Sequence, residues 1–200
     1  LKNALFMTVE ASHSLNFLVY LQNSFLNKHH TDAGEVKFPY TGWNNEFLSY
    51  SAFAAAFKEL WNDVIDKIAA NPVHDLHLFH QHEAGFHEKL FQPGNAGRLA
   101  YDELHKSFQV WWGSFAGSFA LEGSISNDDH HDVYSRLAEY LAATNTEPSR
   151  TLKISLVYDA FPLGGLEVMP FYAVATVREF RLRRDREALV ARLRTSVEGG

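Results

Sequence analysis

The chain has no cysteine in 200 residues. That excludes disulfides, thiolate nucleophiles, iron–sulfur clusters and cysteine-ligated zinc, so any transition metal must be held by nitrogen and oxygen. It also lacks an apolar run approaching the ~20 residues needed to span a bilayer, because charges and amides interrupt every candidate. The opening LKNALFMTVEASHS has no basic start followed by a long apolar stretch and a small-residue cleavage site. It does not read as a signal peptide, and a cytoplasmic protein without a membrane partner is expected. No G-x-G-x-x-G, phosphate-loop or H-E-x-x-H pattern occurs, and no G-x-S-x-G elbow surrounds Ser114, Ser118 or Ser124.

Positive charge is scarce until the end of the chain. The net charge is −6, yet residues 176–200 carry +3 through seven arginines, leaving −9 for the rest. An acidic chain of this kind is a poor nucleic-acid binder. Arginine alone in the basic segment suits fixed carboxylate or phosphate contacts, although alternating signs on a short helix also describe a solvated face.

What is abundant is apolar and aromatic material, 46% and 14% of the residues, with sixteen phenylalanines. That is enough for a proper core, and one globular domain over residues 1–200 is expected. Helical spacing runs from Ser12 or Ser14 to Lys28 through Leu15, Leu18, Gln22, Phe25 and Leu26. A second helix is expected over 44–70, capped by Asn44, with Phe47, Tyr50, Ala54, Phe57, Trp61, Val64 and Ile68 on one face. Asn71 and Pro72 end it. A third is expected from Leu99 or Tyr101 to Leu121, carrying Gly113 and Gly117 together and Phe115 and Phe119 together. A fourth starts at Asp128 or Asp129, with Val133, Leu137, Tyr140 and Leu141 buried.

From 152 the period changes to two, in LKISLVYD and again in FYAVATVREFRLR. The fold class is therefore α+β: predominantly helical, with at least two antiparallel strands near the C-terminus and a C-terminal helix carrying Leu189, Val190, Leu193 and Val197. Two strands alone make a marginal sheet. Residues 73–83 or 35–42 could hold another strand, or a second copy of the chain could extend the sheet.

The chemical signal is HDLHLFHQHEAGFHE, residues 74–88, which holds His74, His77, His80, His82 and His87. As a strand, His80 and His82 share a face and can converge on one ion, with His87 or Glu88 returning after Gly85. Two histidines plus a carboxylate suit iron, zinc or manganese with open coordination positions. An exposed histidine-rich helix or loop needs no chemistry at all.

The functional expectation is a metal-dependent enzyme acting on a small aromatic or apolar molecule. His80, His82 and His87 are the ligands, Glu83 or Glu88 a further ligand or general base, Trp111, Trp112 and Phe115 a pocket wall, and Arg178 or Arg181 a clamp for a substrate carboxylate. Haem on a histidine is a variant. The competing expectation is a non-catalytic acidic module of immunity type that meets a basic protein. A homodimer with interfacial histidines is a third.

Overall fold

The strands expected as an antiparallel pair are parallel, and a third strand lies near the start of the chain. The computed structural model describes residues 5–29, 36–40, 46–70, 75, 85–165 and 168–199. These form β1 (Met7–Ala11), β2 (Leu152–Val157) and β3 (Tyr172–Thr176) in the order β1-β2-β3. Both pairings are parallel, with Val9 beside Ile154 and Ile154 beside Ala173.

Two physical features explain the correction. Residues 158–171, which connect β2 to β3, are long enough to bring the chain back to the same end of the sheet, as a parallel pair requires. The burial also differs from a half-exposed hairpin: Tyr172–Thr176 is buried throughout, and β2 is buried except at Lys153. Near-continuous burial marks a sheet covered on both faces, which parallel strands favour.

The described residues fall into two compact units. The first comprises residues 1–12, 118–160 and 166–200, the second residues 13–117 and 161–165.

Around the sheet in the first unit lie α4 (Ala120–Gly123), α5 (Asn127–Thr144), α6 (Val177–Arg181) and α7 (Arg183–Glu198). Of these, α4 packs on β1 and β2 and α7 on β3 and α5. Ser126 caps α5 by accepting from the Asp129 N–H, while the Asp129 carboxylate reaches back to the Ser126 N–H. Asp129 is thus the third residue of a capping box rather than the cap itself. Thr176 and Glu179 make the same box at α6.

The second unit is built around α1 (His13–His29), which is buried on every side from His13 to Phe25. A helix with no solvated face is a core helix, and its polar residues need internal partners. Gln22 Oε1 accepts from the Leu163 N–H (3.0 Å), and Asn23 Nδ2 donates to the Phe38 carbonyl (2.9 Å). Asn27 donates to the carbonyls of Lys37 and Pro39 and accepts from the Lys37 N–H. These amides fasten residues 37–39 and 163 to the helix. No strand occurs at 36–40, and 73–83 lies outside the described residues apart from Asp75.

Against α1 packs α2 (Tyr50–Ala70), with Phe53, Phe57, Leu60, Trp61, Val64, Ile65 and Ile68 buried. Phe25 stacks on Phe53 at 3.8 Å, whereas Tyr50, expected inside, is exposed. The expected cap Asn44 lies outside the described residues.

The third helix, α3 (Asn95–Trp112), stops short of Leu121. Gly117 lies inside a wide turn at φ −92°, ψ −125°, and a Cβ there would strike the carbonyls of Trp111 and Trp112. The glycine serves a turn of the chain onto its own helix end, not a smooth helical face. Phe115 and Phe119 are consequently exposed. Among the described residues no helix is long and apolar enough to cross a membrane.

Candidate functional site

Of the histidine stretch, the described positions are Asp75 and residues 85–88; His80, His82 and Glu83 lie outside the described residues. Asp75 meets the first turn of α1. Its Oδ2 accepts from the Ser14 N–H (3.1 Å) and its carbonyl accepts from Ser14 Oγ (3.2 Å). The first N–H groups of a helix have no partner within it, and their dipole favours a carboxylate. The neighbouring His13 is only 8% exposed and points its ring edge-on at Phe108 (5.1 Å) and Trp112 (5.5 Å).

At the other end, residues 85–90 are helical and His87 is half-buried. Its ring lies against Phe91 (6.3 Å) and edge-on to Tyr101 (5.6 Å). Its Nε2 is buried and has no hydrogen-bond partner among the described residues. Tyr101 stacks on His105 (5.8 Å), His105 lies tilted against Phe17 (5.4 Å), and Phe17 lies tilted against Phe108 (4.9 Å). One continuous aromatic surface thus joins His13, His105 and His87.

Trp111 and Trp112, expected as a wall, belong to this surface. Trp112 stacks on Phe108, while Trp111 lies against Phe38 (5.0 Å) and Tyr20 (6.1 Å). Tyr20 OH is within 2.8 Å of Ser107 Oγ; burial pushes its pKa up, and the Ser107 bond offsets part of that. Phe115 is 77% exposed, and Glu88 is exposed. His105 Nε2 lies 3.0 Å from Gln109 Nε2, one turn further along α3.

No protein family, curated protein or solved structure matches the chain. What the site does therefore rests on its residues. Among the described residues no group of three or more histidine or carboxylate side chains is arranged to hold a metal ion.

Arg178 and Arg181 belong to the first unit, whereas the tryptophans belong to the second. Arg178 Nε donates to Asp185 Oδ2 (2.6 Å), and Arg181 is exposed. Other C-terminal arginines are also used internally. Arg192 donates to Glu179 (2.6 Å) and to the Val174 carbonyl (3.1 Å). Arg186, 9% exposed, donates to Asp129, to Asp132 (3.0 Å) and to the Phe180 carbonyl (2.6 Å).

Partial burial pushes Asp129 up, but bonds from Ser126 and Arg186 outweigh it and hold its carboxyl below the usual aspartate range. Arg186, with Arg136, holds Asp132 low against partial burial. Both His-Asp dipeptides of the sequence therefore spend their aspartates on structure, Asp75 on α1 and Asp132 on two arginines.

Sequence reasoning missed His13 as a member of the aromatic surface. Its position just inside a helix start is visible in the chain, but the packing of Phe108 and Trp112 against its ring is not. Sequence reasoning also missed the cap of α5, which is Ser126 and not Asp128 or Asp129.

Proposed function

We propose that the second unit is a histidine-based metal site and that the protein is a metal-dependent enzyme acting on a small aromatic or apolar molecule. The supporting observation is the docking of the histidine stretch at both described ends. Asp75 is tied to the start of α1 beside His13, and His87 rests on the aromatic surface that includes His105. Imidazole ligands need neighbours that orient their rings and exclude water. A surface rich in phenylalanine, tyrosine and tryptophan supplies both, and it suits a flat apolar substrate.

In this reading His80, His82 and His87 carry the metal, Glu83 or Glu88 provides a further ligand or base, and Trp111 and Trp112 form the wall. Nitrogen and carboxylate donors favour iron, zinc or manganese.

Elemental analysis of untagged protein tests the proposal, followed by His80→Ala, His82→Ala and His87→Ala. Stoichiometric metal that falls in these variants supports it. Unchanged metal in all three overturns it. Metal-free protein that co-purifies with a basic partner also overturns it, in favour of the acidic binding module.

A further inference from the structure

We propose that Arg178, Arg181, Arg183 and Arg184 form a docking surface for a short acidic segment of another protein. The surface lies where α6 ends and α7 begins, and its charge is met differently from that of the other arginines of α7.

Those other arginines are spent inside the protein. Arg186 is held by Asp129 and Asp132, Arg192 by Glu179, and Arg194 lies over the Tyr140 ring at 4.9 Å. Along residues 178–185 the balance changes. Glu179 is taken by Arg192, so Asp185 alone faces four arginines. Arg181 and Arg183 are exposed and have no hydrogen-bond or ion-pair partner among the described residues. Arg178 and Arg181 stand three apart on α6, a spacing at which like charges repel. An incoming carboxylate relieves that repulsion.

Asp185 also fixes the geometry. Its Oδ2 accepts from Arg178 Nε (2.6 Å) and its Oδ1 from Arg184 Nε (3.2 Å). Both bonds use Nε, so the terminal nitrogens of the two guanidiniums make no bond to a described residue, and the side chains stay 65% and 85% exposed. One carboxylate thus holds two guanidinium forks close together, with donors left for a second anion.

Charge selects the occupant. Guanidinium to carboxylate is the pairing this unit already makes at Asp132, Glu179 and Glu187. Outside residues 176–200 the chain carries −9. That charge repels a long polyanion, whether nucleic acid or an anionic bilayer, wherever it runs past the arginines. A short acidic stretch of protein meets the arginines alone, which is a known mode of recognition by arginine clusters. Leu182, exposed between Arg181 and Arg183, offers such a segment an apolar contact.

Fluorescence anisotropy on the full chain tests this with a labelled peptide of glutamates around one leucine. Saturable binding that weakens with salt is expected. The same peptide with glutamine in place of glutamate should not bind. Arg181→Gln with Arg183→Gln should weaken binding about tenfold. Arg98→Gln with Lys106→Gln, which removes the same charge from exposed positions of α3, should change it by less than about twofold. None of these four side chains has a partner among the described residues, so circular dichroism should report an unchanged fold in both double variants.

No binding of the glutamate peptide overturns the proposal. So does an equal loss in the two double variants, which would make the attraction one of net charge alone. Tighter binding of a DNA oligonucleotide, or of a phosphatidylcholine vesicle carrying phosphatidylserine, overturns it in favour of a phosphate-bearing partner. A salt-sensitive dimer in sedimentation velocity that disappears in Arg181→Gln with Arg183→Gln overturns it in favour of a second copy of this chain.

Discussion

Asp75 closes the start of α1 through Ser14, accepting from its N–H at 3.1 Å from 61 residues further along the chain. A core helix has no water at its end to take that role, so the carboxylate must come from elsewhere in the fold. Asp75→Ala should destabilise the protein by about 1 kcal/mol, the usual worth of a helix-end acceptor. Asp75→Asn, which keeps the acceptor and loses the charge, should cost less. Urea unfolding followed by circular dichroism separates the two, and equal losses would show that the charge rather than the acceptor matters.

Arg186 is the most interlocked side chain of the first unit, joining α7 to Asp129 and Asp132 of α5 and to the carbonyl of Phe180. Its planar guanidinium reaches these acceptors from three separate nitrogens, whereas the three donors of an ammonium all leave from one. Arg186→Met should cost about 2 kcal/mol, because it takes the charged donor from a buried carbonyl and from two carboxylates that keep only Ser126 and Arg136. Arg186→Lys should recover only a minor part. A denaturation midpoint for the lysine variant close to wild type would contradict the multidentate role.

The same contacts set a pH dependence. Asp129 and Asp132 both sit below the ordinary aspartate range in the folded protein. Groups with depressed folded values contribute fully above the unfolded aspartate value of about 3.9 and lose that contribution as pH falls through the folded values. Stability should therefore be flat near neutrality with respect to these groups and fall in acid. In Arg186→Met the acid limb should flatten. Asp185, half-buried, is lowered by hydrogen bonds from Arg178 and then Arg184, so its share should shrink in high salt.

Two glycines should answer alanine with opposite signs. At Gly117 a Cβ would press on backbone atoms, including the Trp112 Cα at 2.7 Å, that cannot move aside. Gly117→Ala should cost about 2 kcal/mol. At Gly123, in α4 and with an ordinary φ, a Cβ would meet nothing within 4 Å. Gly123→Ala should be neutral or stabilising by up to about 1 kcal/mol. Thermal unfolding of both variants is the measurement.

Much of the local structure was legible in the chain. Periodicity located the bodies of α1, α2, α5 and α7, since a stripe at three-and-four spacing survives whatever packs on it. The alternation also located two strands, but the second, expected over FYAVATVREFRLR, ends at Thr176, where the Thr176–Glu179 box starts helix α6 at Val177. Their direction was not legible, because residues 158–171 are long enough for either pairing and only burial on both faces decides it. The short segment MTVEA, at the front of the chain, carries too few residues to announce a strand until β2 is beside it. The break after Trp112 was likewise a tertiary matter, since Phe115 and Phe119 keep helical spacing while Gly117 turns the backbone away.

For the proposed site, the sequence by itself limited the chemistry: with no cysteine and five histidines in one stretch, thiolate ligation of a metal is excluded. It also supplied Trp111, Trp112 and His87, three members of the aromatic surface. Tertiary structure alone brought His13 and His105 onto that surface and set Arg186 against Asp129 and Asp132. The reason is common to all of these. Residue type sets which bonds a side chain can make, but which partner it meets depends on chain segments far apart in sequence.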